Sequence, residues 1–225
     1  MSATGERAQT QRIKVWDGAT RLFHWALVLL FGFSWLSAEK SWTSWHLYSG
    51  CAIGALLLFR LAWGFVGSET ARFTHFLASP LTALRTMLRL ARREPDTQPG
   101  HNAAGGWMVL VMLGLLVAQV LTGLAANNDI EFAGPLAPWL GKDWSDTLTK
   151  WHFRIFTLLE ITVLAHLAAI VIYLLVKRQN LLHPMLHGHK HLPHDTAPPR
   201  MAHPARAGVI FLAAAGFMAW VAFGL

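Results

Sequence analysis

The sequence predicts an all-α membrane protein: a four-helix transmembrane bundle followed by a fifth, C-terminal transmembrane helix. Apolar residues make up 54% of the chain and charged residues only 14%, whereas an ordinary soluble domain has about 25% charged residues. Five runs come close to the ~20 apolar residues that cross a bilayer. They cover 22–38, 45–66, 106–126, 148–176 and 207–225.

The polar segments divide the chain into four parts. An N-terminal arm (1–21) precedes the four-helix core (22–178), and a linker rich in His and Pro (179–206) leads to the fifth helix (207–225). No strand pattern or internal repeat is visible. The chain has one cysteine, Cys51, and no CxxC motif, which argues against a disulfide framework, a Cys-ligated metal site and a covalently attached c-type haem.

Basic residues are distributed unevenly between the two ends of these spans. Excess Lys and Arg mark the cytoplasmic loops of a membrane protein, so the N-terminus is predicted to be cytoplasmic and the C-terminus, after five spans, to lie outside. This distribution accounts for the net charge of +7 without nucleic-acid binding. The inner side has Arg7, Arg12, Lys14, Arg21, Arg72, Arg85, Arg89, Arg92, Arg93, Lys177, Arg178, Lys190, Arg200 and Arg206, and the outer side has Lys40, Lys142 and Lys150.

The loop between the second and third spans contains a further predicted helix, from Pro80 to Pro95. Leu81, Leu84 and Leu88 recur at helical spacing beside a run of arginines. This pattern is typical of a basic amphipathic helix that lies on the inner leaflet. The alternative is a solvated cytoplasmic helix.

Four of the twelve histidines lie within apolar spans: His24, His46, His152 and His166. Ionisable side chains within a membrane are costly and are usually functional. The direction of each span places His46 and His152 near the outer face, and His24 near the inner face. His166 lies fourteen residues beyond His152, about 21 Å deeper, so it joins His24. We call these the outer pair (His46 and His152) and the inner pair (His24 and His166).

The spacing within the fourth span also places both of its histidines on one side. Fourteen residues at about 100° each end within about 40° of a whole number of turns. Two neutral imidazoles that face each other across a helix bundle are a natural axial pair for haem iron. The sequence therefore predicts two bis-histidine b-type haems, one near each face, which would conduct electrons across the bilayer.

For several other residues near the histidines, the sequence allows more than one role. Gly50 and Gly54 follow His46 at successive helical turns, and they either make room for the macrocycle or allow close helix packing. Arg21, Arg60 and Arg154 are candidate contacts for haem propionates, and the alternative for Arg21 and Arg60 is snorkelling to the headgroups. Glu160 lies in mid-span, where a proton relay or a hydrogen bond to Gln119 is conceivable.

Several motifs resemble those of the bacterial di-haem cytochrome b family, which includes bacterial cytochrome b561 and the cytochrome b subunits of Ni–Fe hydrogenases. The motifs are "VWDGATRLFHW" (15–25), "FRLAWGFVG" (59–67), "GHNAAGG" (100–106) and "HFRIFTLLEITVLAHLAAIVIY" (152–173). The resemblance implies two haem b groups with His24, His46, His152 and His166 as iron ligands. The fifth span and the His-rich linker depart from the pattern of the family.

The resemblance also implies a function and partners. Members of the family are multi-pass proteins of the bacterial inner membrane that exchange electrons with quinone. Their other partner is a redox protein, either a c-type cytochrome or an oxidoreductase subunit, and a homo-oligomer is a further possibility. We expect the quinone near the inner haem, around Arg60, His75 and His101. The alternative for both histidines is a role in a soluble loop, which the sequence indicates equally well.

Two alternative functions remain open at this point. A superoxide:quinone oxidoreductase would use the same haems, with Arg154, Lys142 and Lys150 attracting the anion. A metal or haem transporter is the more distant alternative, because the linker histidines resemble a metal-binding tract. The other reading of the linker is a flexible connection. Its histidines are His183, His187, His189, His191, His194 and His203.

Overall fold

The computed structural model describes residues 10–90, 92–93, 97–130 and 132–224. Helices dominate this part of the chain, and two short strands accompany them. In chain order the elements are β1 (Thr10–Lys14), α1 (Gly18–Glu39), α2 (Thr43–Val66), a 3-10 turn (Glu69–Ala71), α3 (Phe73–Phe76), α4 (Pro80–Leu88), α5 (Ala103–Leu124), α6 (Ala137–Leu140), α7 (Lys142–Leu175), α8 (Leu182–His187), β2 (His189–Pro193) and α9 (Pro204–Phe223).

Five of these helices, α1, α2, α5, α7 and α9, are long and apolar enough to cross a membrane. The prediction of an all-α membrane protein is therefore confirmed. The largest difference in bounds is at α7, which begins at Lys142, six residues before the predicted span. Hydropathy marks only the apolar part of a helix, whereas α7 extends through the polar residues that precede that part. The N-cap residue of α7 is Gly141, which has a φ of 77°.

The spanning helices associate as pairs. Helix α1 packs on α2, α5 packs on α7, and contacts between α2 and α5 join the two pairs. Helix α9 packs mainly on α2, outside the four-helix arrangement. Between α1 and α7 the contact is made by side chains, such as the stacked rings of Phe31 and Phe156, whose centroids are 6.1 Å apart. Side chains from the two pairs of helices therefore also meet between α1 and α7.

A two-stranded ribbon, β1 with β2, joins the N-terminal arm to the His-rich linker. The strands are antiparallel, and Arg12 stands opposite His191. Val15 and Leu192 are fully buried beneath the ribbon, next to Trp16. The expectation that no strand is present was wrong. Each strand buries a single residue and shows no alternation of apolar and polar residues, which is the signal on which strand prediction depends.

Helix α4 is shorter than the sequence predicted. It begins at Pro80, where the Ser79 side chain accepts a hydrogen bond from the Thr82 amide at 3.2 Å, and it ends at Leu88. The predicted terminator, Pro95, lies outside the described residues. Leu81, Leu84 and Leu88 are all exposed, so the apolar face of α4 remains uncovered in the single chain. Its contact with the inner leaflet stays a prediction.

Candidate functional site

The structure brings the two histidines of the outer pair together. The rings of His46 on α2 and His152 on α7 have centroids 6.1 Å apart and planes at 89°. They come from helices that belong to different pairs in the bundle. The outer pair therefore lies where the two helix pairs meet.

A backbone carbonyl orients His46. Its Nδ1 lies 2.9 Å from the carbonyl oxygen of Ser34 on α1, with the Ser34 hydroxyl at 3.3 Å. A carbonyl only accepts, so this contact places the proton on Nδ1 and leaves the lone pair on Nε2. An imidazole held in this way is prepared to bind a metal through Nε2.

His152 is held by the same device. Its Nδ1 lies 3.0 Å from the carbonyl oxygen of Gln119 on α5, and the Thr122 hydroxyl is 3.3 Å from the same nitrogen. The Gln119 side-chain amide lies 3.1 Å from Nε2 of His152 and donates to it. An iron ligated at this nitrogen would therefore require the Gln119 side chain to turn away.

Gly123 makes room for the His152 ring. A Cβ atom at this position would lie 2.8 Å from Cε1 of His152 and 3.1 Å from its Nδ1. Contacts shorter than 3 Å do not occur between a real Cβ and a ring carbon, so any side chain at 123 would displace the imidazole. The position of His152 thus depends on a glycine of the neighbouring helix.

For the inner pair the structure shows proximity only: His24 on α1 and His166 on α7 lie within electrostatic range of each other. The Nδ1 of His24 is buried and has no hydrogen-bond partner within the described part of the chain. The His24 ring meets Trp25 edge-on, with centroids 5.0 Å apart. A polar atom buried without a partner is expensive, so His24 has capacity for a ligand.

Arg60 lies on the inner side of the bundle and is 4% exposed. Its guanidinium stacks on the Phe73 ring at 5.1 Å, and within the described residues its Nη1 has no hydrogen-bond partner. The nearby countercharge is Asp17, which accepts hydrogen bonds from the Thr20 amide (2.6 Å) and the Trp63 indole (3.2 Å). A buried guanidinium with a free donor is suited to an anionic group.

His101 lies beside the inner pair, whereas His75 does not. The ring of His101 packs against Trp16 at 4.8 Å and against Phe76 at 5.4 Å. Burial and the positive charge of Arg60 lower the pKa of His101 to about 3, so this side chain is neutral at physiological pH. His75 is exposed and pairs with Glu69 at 3.6 Å.

Two of the predicted propionate contacts have other partners in the structure. The Nη1 of Arg21 donates to the Leu186 carbonyl of α8 at 2.5 Å. Arg154 is exposed, and its guanidinium covers the Trp151 ring at 5.2 Å. Residues two apart on a helix differ by about 200°, so Arg154 cannot share the face of His152. Arg21 nevertheless keeps a buried Nε with no hydrogen-bond partner among the described residues. Arg60 and Arg21 therefore both retain a donor, whereas Arg154 is exposed and faces away from His152.

The two candidate glycines differ as well. A Cβ at Gly50 would meet nothing within 4 Å, whereas one at Gly54 would lie 2.8 Å from the Met218 methyl of α9 and 3.3 Å from Val120. The space beside Gly54 is thus used for helix packing, and the structure does not support a contact with the macrocycle there.

The side chain of Glu160 is exposed on α7, which turns it away from Gln119.

These residues satisfy the requirements of haem better than those of a bare metal ion. Within the described ranges no group of three or more His, Cys, Asp and Glu side chains could hold a metal ion. A porphyrin supplies four ligands itself and requires only two axial imidazoles. The unpartnered Nδ1 of His24 and Nη1 of Arg60, one a potential ligand and one a potential propionate donor, fit such a group.

Several residues of this site escaped the sequence prediction. Asp17 begins α1 and carries the signal of an N-cap residue, which would have located it at the helix start but not beside Arg60. Ser34 and Gln119 act through backbone carbonyls, which no side-chain motif reveals. Gly123 has no distinguishing signal, because its role depends on a histidine of another helix.

The comparisons with known proteins agree with this geometry. The family model described as prokaryotic cytochrome b561 matches residues 15–188. No curated protein and no solved structure matches the chain. The matched range includes all four histidines of the two pairs and covers well over half of the chain. The chain therefore belongs to the prokaryotic cytochrome b561 family, and it is a membrane protein of the kind that binds b-type haem and transfers electrons.

Proposed function

We propose that this protein is a di-haem cytochrome b of the bacterial inner membrane that transfers electrons between quinone and a redox protein partner. The partner is a c-type cytochrome or an oxidoreductase subunit. The observation that carries the proposal is the outer pair, in which the ring centroids of histidines from two helices lie 6.1 Å apart. Helix α7, which supplies His152 to this pair, also contains His166 fourteen residues further along.

The residues of the chain would hold two haem b groups. His46 and His152 are the proposed ligands of the outer haem, and His24 and His166 those of the inner haem. When bound, haem b supplies a one-electron iron couple. Two imidazoles from the chain would hold each haem iron and would leave no open position for a substrate, which favours electron transfer. Arg60 is the proposed donor to a propionate of the inner haem.

The inner side also has a place suited to quinone. An apolar groove of about 610 Å³ runs between α2 and α5 and is lined by Phe73, Thr74 and Gly114, among others. Its size is within the range of small-molecule sites, and the Thr74 hydroxyl is a polar group within an otherwise apolar lining. Arg60 stacks on Phe73, so the groove lies next to the proposed inner haem. His75, which pairs with Glu69, is no longer part of this expected site.

On the outer side, the surroundings of Lys142 weaken the superoxide alternative. A cavity of about 90 Å³ next to His46 is lined by Ser37, Ser41 and Asn128. Lys142, one of the cations considered for attracting superoxide, is bonded to Asp129 at 2.5 Å and to Asp146 at 3.2 Å. Its charge is therefore balanced locally.

The transporter alternative is also weakened, because each of the five spanning helices is continuous, whereas transporter sites are built around broken helices.

The test is the haem content of single histidine variants. We expect His152→Ala and His166→Ala each to retain about one of two haems, measured as pyridine haemochrome, with different reduced spectra because different haems are lost. His75→Ala is the matched control, since His75 is exposed and outside both pairs, and it should retain both haems. If both pair variants keep two haems, the assignment of these histidines as ligands is wrong.

A further inference from the structure

The His-rich linker is a folded structure on the inner side of the bundle. Helix α8 is followed by its C-cap residue, the buried Gly188. The carbonyl of Gly188 accepts hydrogen bonds from the amides of Val15 (2.8 Å) and Trp16 (3.1 Å). Strand β2 follows directly and pairs with β1. The sequence left a flexible connection open as one interpretation of the linker. Residues 182–193 instead form a helix and a strand, and the histidines there have defined neighbours.

Two of these histidines stand side by side on α8. His183 and His187 are four residues apart, so they project from the same face of the helix. Their rings are stacked, with centroids 4.4 Å apart and planes at 23°. Both side chains are exposed.

A hydrogen bond indicates which nitrogen of the His187 ring is free. The Nδ1 of His187 lies 3.3 Å from the His183 carbonyl oxygen, which places its proton there and leaves the lone pair of Nε2 available. His189 is less suitable, because the Arg12 guanidinium lies 3.5 Å from its Nδ1 and a cation opposes metal binding. His183 and His187 are therefore better placed to bind a metal ion than His189 is.

From this geometry we propose that His183 and His187 form a binding site for one divalent transition-metal ion on the cytoplasmic side. Histidines at i and i+4 of a helix can ligate a single ion, and imidazole favours Zn²⁺, Ni²⁺ and Cu²⁺ over Mg²⁺ or Ca²⁺. Within the described residues no third His, Cys, Asp or Glu joins the group, so water completes the coordination. The site is independent of the proposed haems.

The site would be coupled to the start of α1. The carbonyls of Met185 and Leu186, between the two histidines, accept hydrogen bonds from Trp25 (3.2 Å) and Arg21 (2.5 Å). These two residues flank His24 of the inner pair. A metal ion that bridges one turn of α8 rigidifies the helix that supplies these two acceptors, so binding should slow local opening of the segment 182–193.

The test is calorimetric titration of tag-free protein in detergent with Zn²⁺. We expect one ion per chain, and a loss of affinity on the order of tenfold or more for His183→Ala and for His187→Ala, since each removes one of two protein ligands. The matched control is His191→Ala, another exposed histidine of the same segment. Its affinity should equal that of the unchanged protein. The reduced haem spectrum of each variant verifies the fold.

Hydrogen exchange provides a second readout. Zn²⁺ should slow exchange at 182–193 in the unchanged protein and in His191→Ala, and it should have no effect in the His187→Ala variant. The proposal is overturned if the unchanged protein binds no Zn²⁺. It is equally overturned if His191→Ala weakens binding as much as His187→Ala does, because the histidines of the tract would then bind without a defined pair.

Discussion

At the scale of single residues, the proposed haem site depends on groups that are not ligands. His46 and His152 are each oriented by a backbone carbonyl, that of Ser34 and that of Gln119. Gly123 has no side chain, so the His152 ring can approach α5 closely. Such supporting contacts orient the imidazoles and determine how well they bind a metal.

Gly123→Ala should abolish the outer haem. The added methyl group would lie 2.8 Å from a carbon of the His152 ring, so the imidazole must leave its present position or α5 must shift. We expect the purified variant to contain about one haem per chain, measured as pyridine haemochrome, with the spectrum that remains in His152→Ala.

The matched control is Gly114→Ala on the same helix. A Cβ at 114 meets nothing within 4 Å, so this variant should keep both haems, and the exchange of Gly for Ala within a helix is favourable by about 0.5–1 kcal/mol. Two full haems in Gly123→Ala would show that close contact between α5 and His152 is unimportant.

At the scale of elements, α9 is the addition to the family pattern, because the family match ends at residue 188. It packs on α2, where Met218 fills the space beside Gly54. Arg206, near its start, donates to the Val66 carbonyl at the end of α2, at 2.9 Å. Neither histidine pair includes a residue of α9. This helix therefore braces α2 from outside and leaves the haem site to the four-helix core.

Met218→Ala should lower stability without removing haem. Met218 is buried between α9 and α2, and truncation would leave a cavity that costs about 2–5 kcal/mol, or roughly 4–20 °C in the thermal midpoint of a chain of this size. Leu212→Ala on the exposed face of α9 should change the midpoint little. A loss of haem from Met218→Ala would contradict the role of α9 as a brace.

At the scale of the whole molecule, α7 connects the two faces. It is 34 residues long, and it contributes His152 to the outer pair and His166 to the inner pair. The inner side also has the groove, the β1–β2 ribbon and most of the basic residues. The outer side has the small cavity next to His46 and the acids that balance Lys142. The proposed function requires such an asymmetry, because it places quinone on one side and a protein partner on the other.

The proposed orientation can be measured with reporter fusions. Because basic residues concentrate at the ribbon end, we expect alkaline phosphatase, which is active only outside the cytoplasm, to be active when fused after residue 224. The same reporter fused after residue 179 should be inactive. The reverse result would invert the assignment of inner and outer pairs to the two faces of the membrane, although it would leave the pairs themselves intact.

Sequence alone was sufficient for the five spans and for grouping His46 with His152, whose rings meet in the structure. Both depend on local properties: hydropathy over about 20 residues, and a constant rise per residue along a helix. The family motifs lie in the same segments, so the resemblance and the spacing pointed to the same function. The separation of an outer and an inner pair follows from these local quantities.

Tertiary structure alone decided which neighbouring residues serve the site. It separated Arg60 and Arg21, which each have a buried donor without a hydrogen-bond partner among the described residues, from the exposed Arg154. It assigned Gly54 to the contact with Met218. It also folded the linker against the N-terminal arm. Each of these outcomes depends on contacts between residues far apart in the chain, and side-chain direction at such contacts is determined by how the helices pack and not by the composition of any one segment.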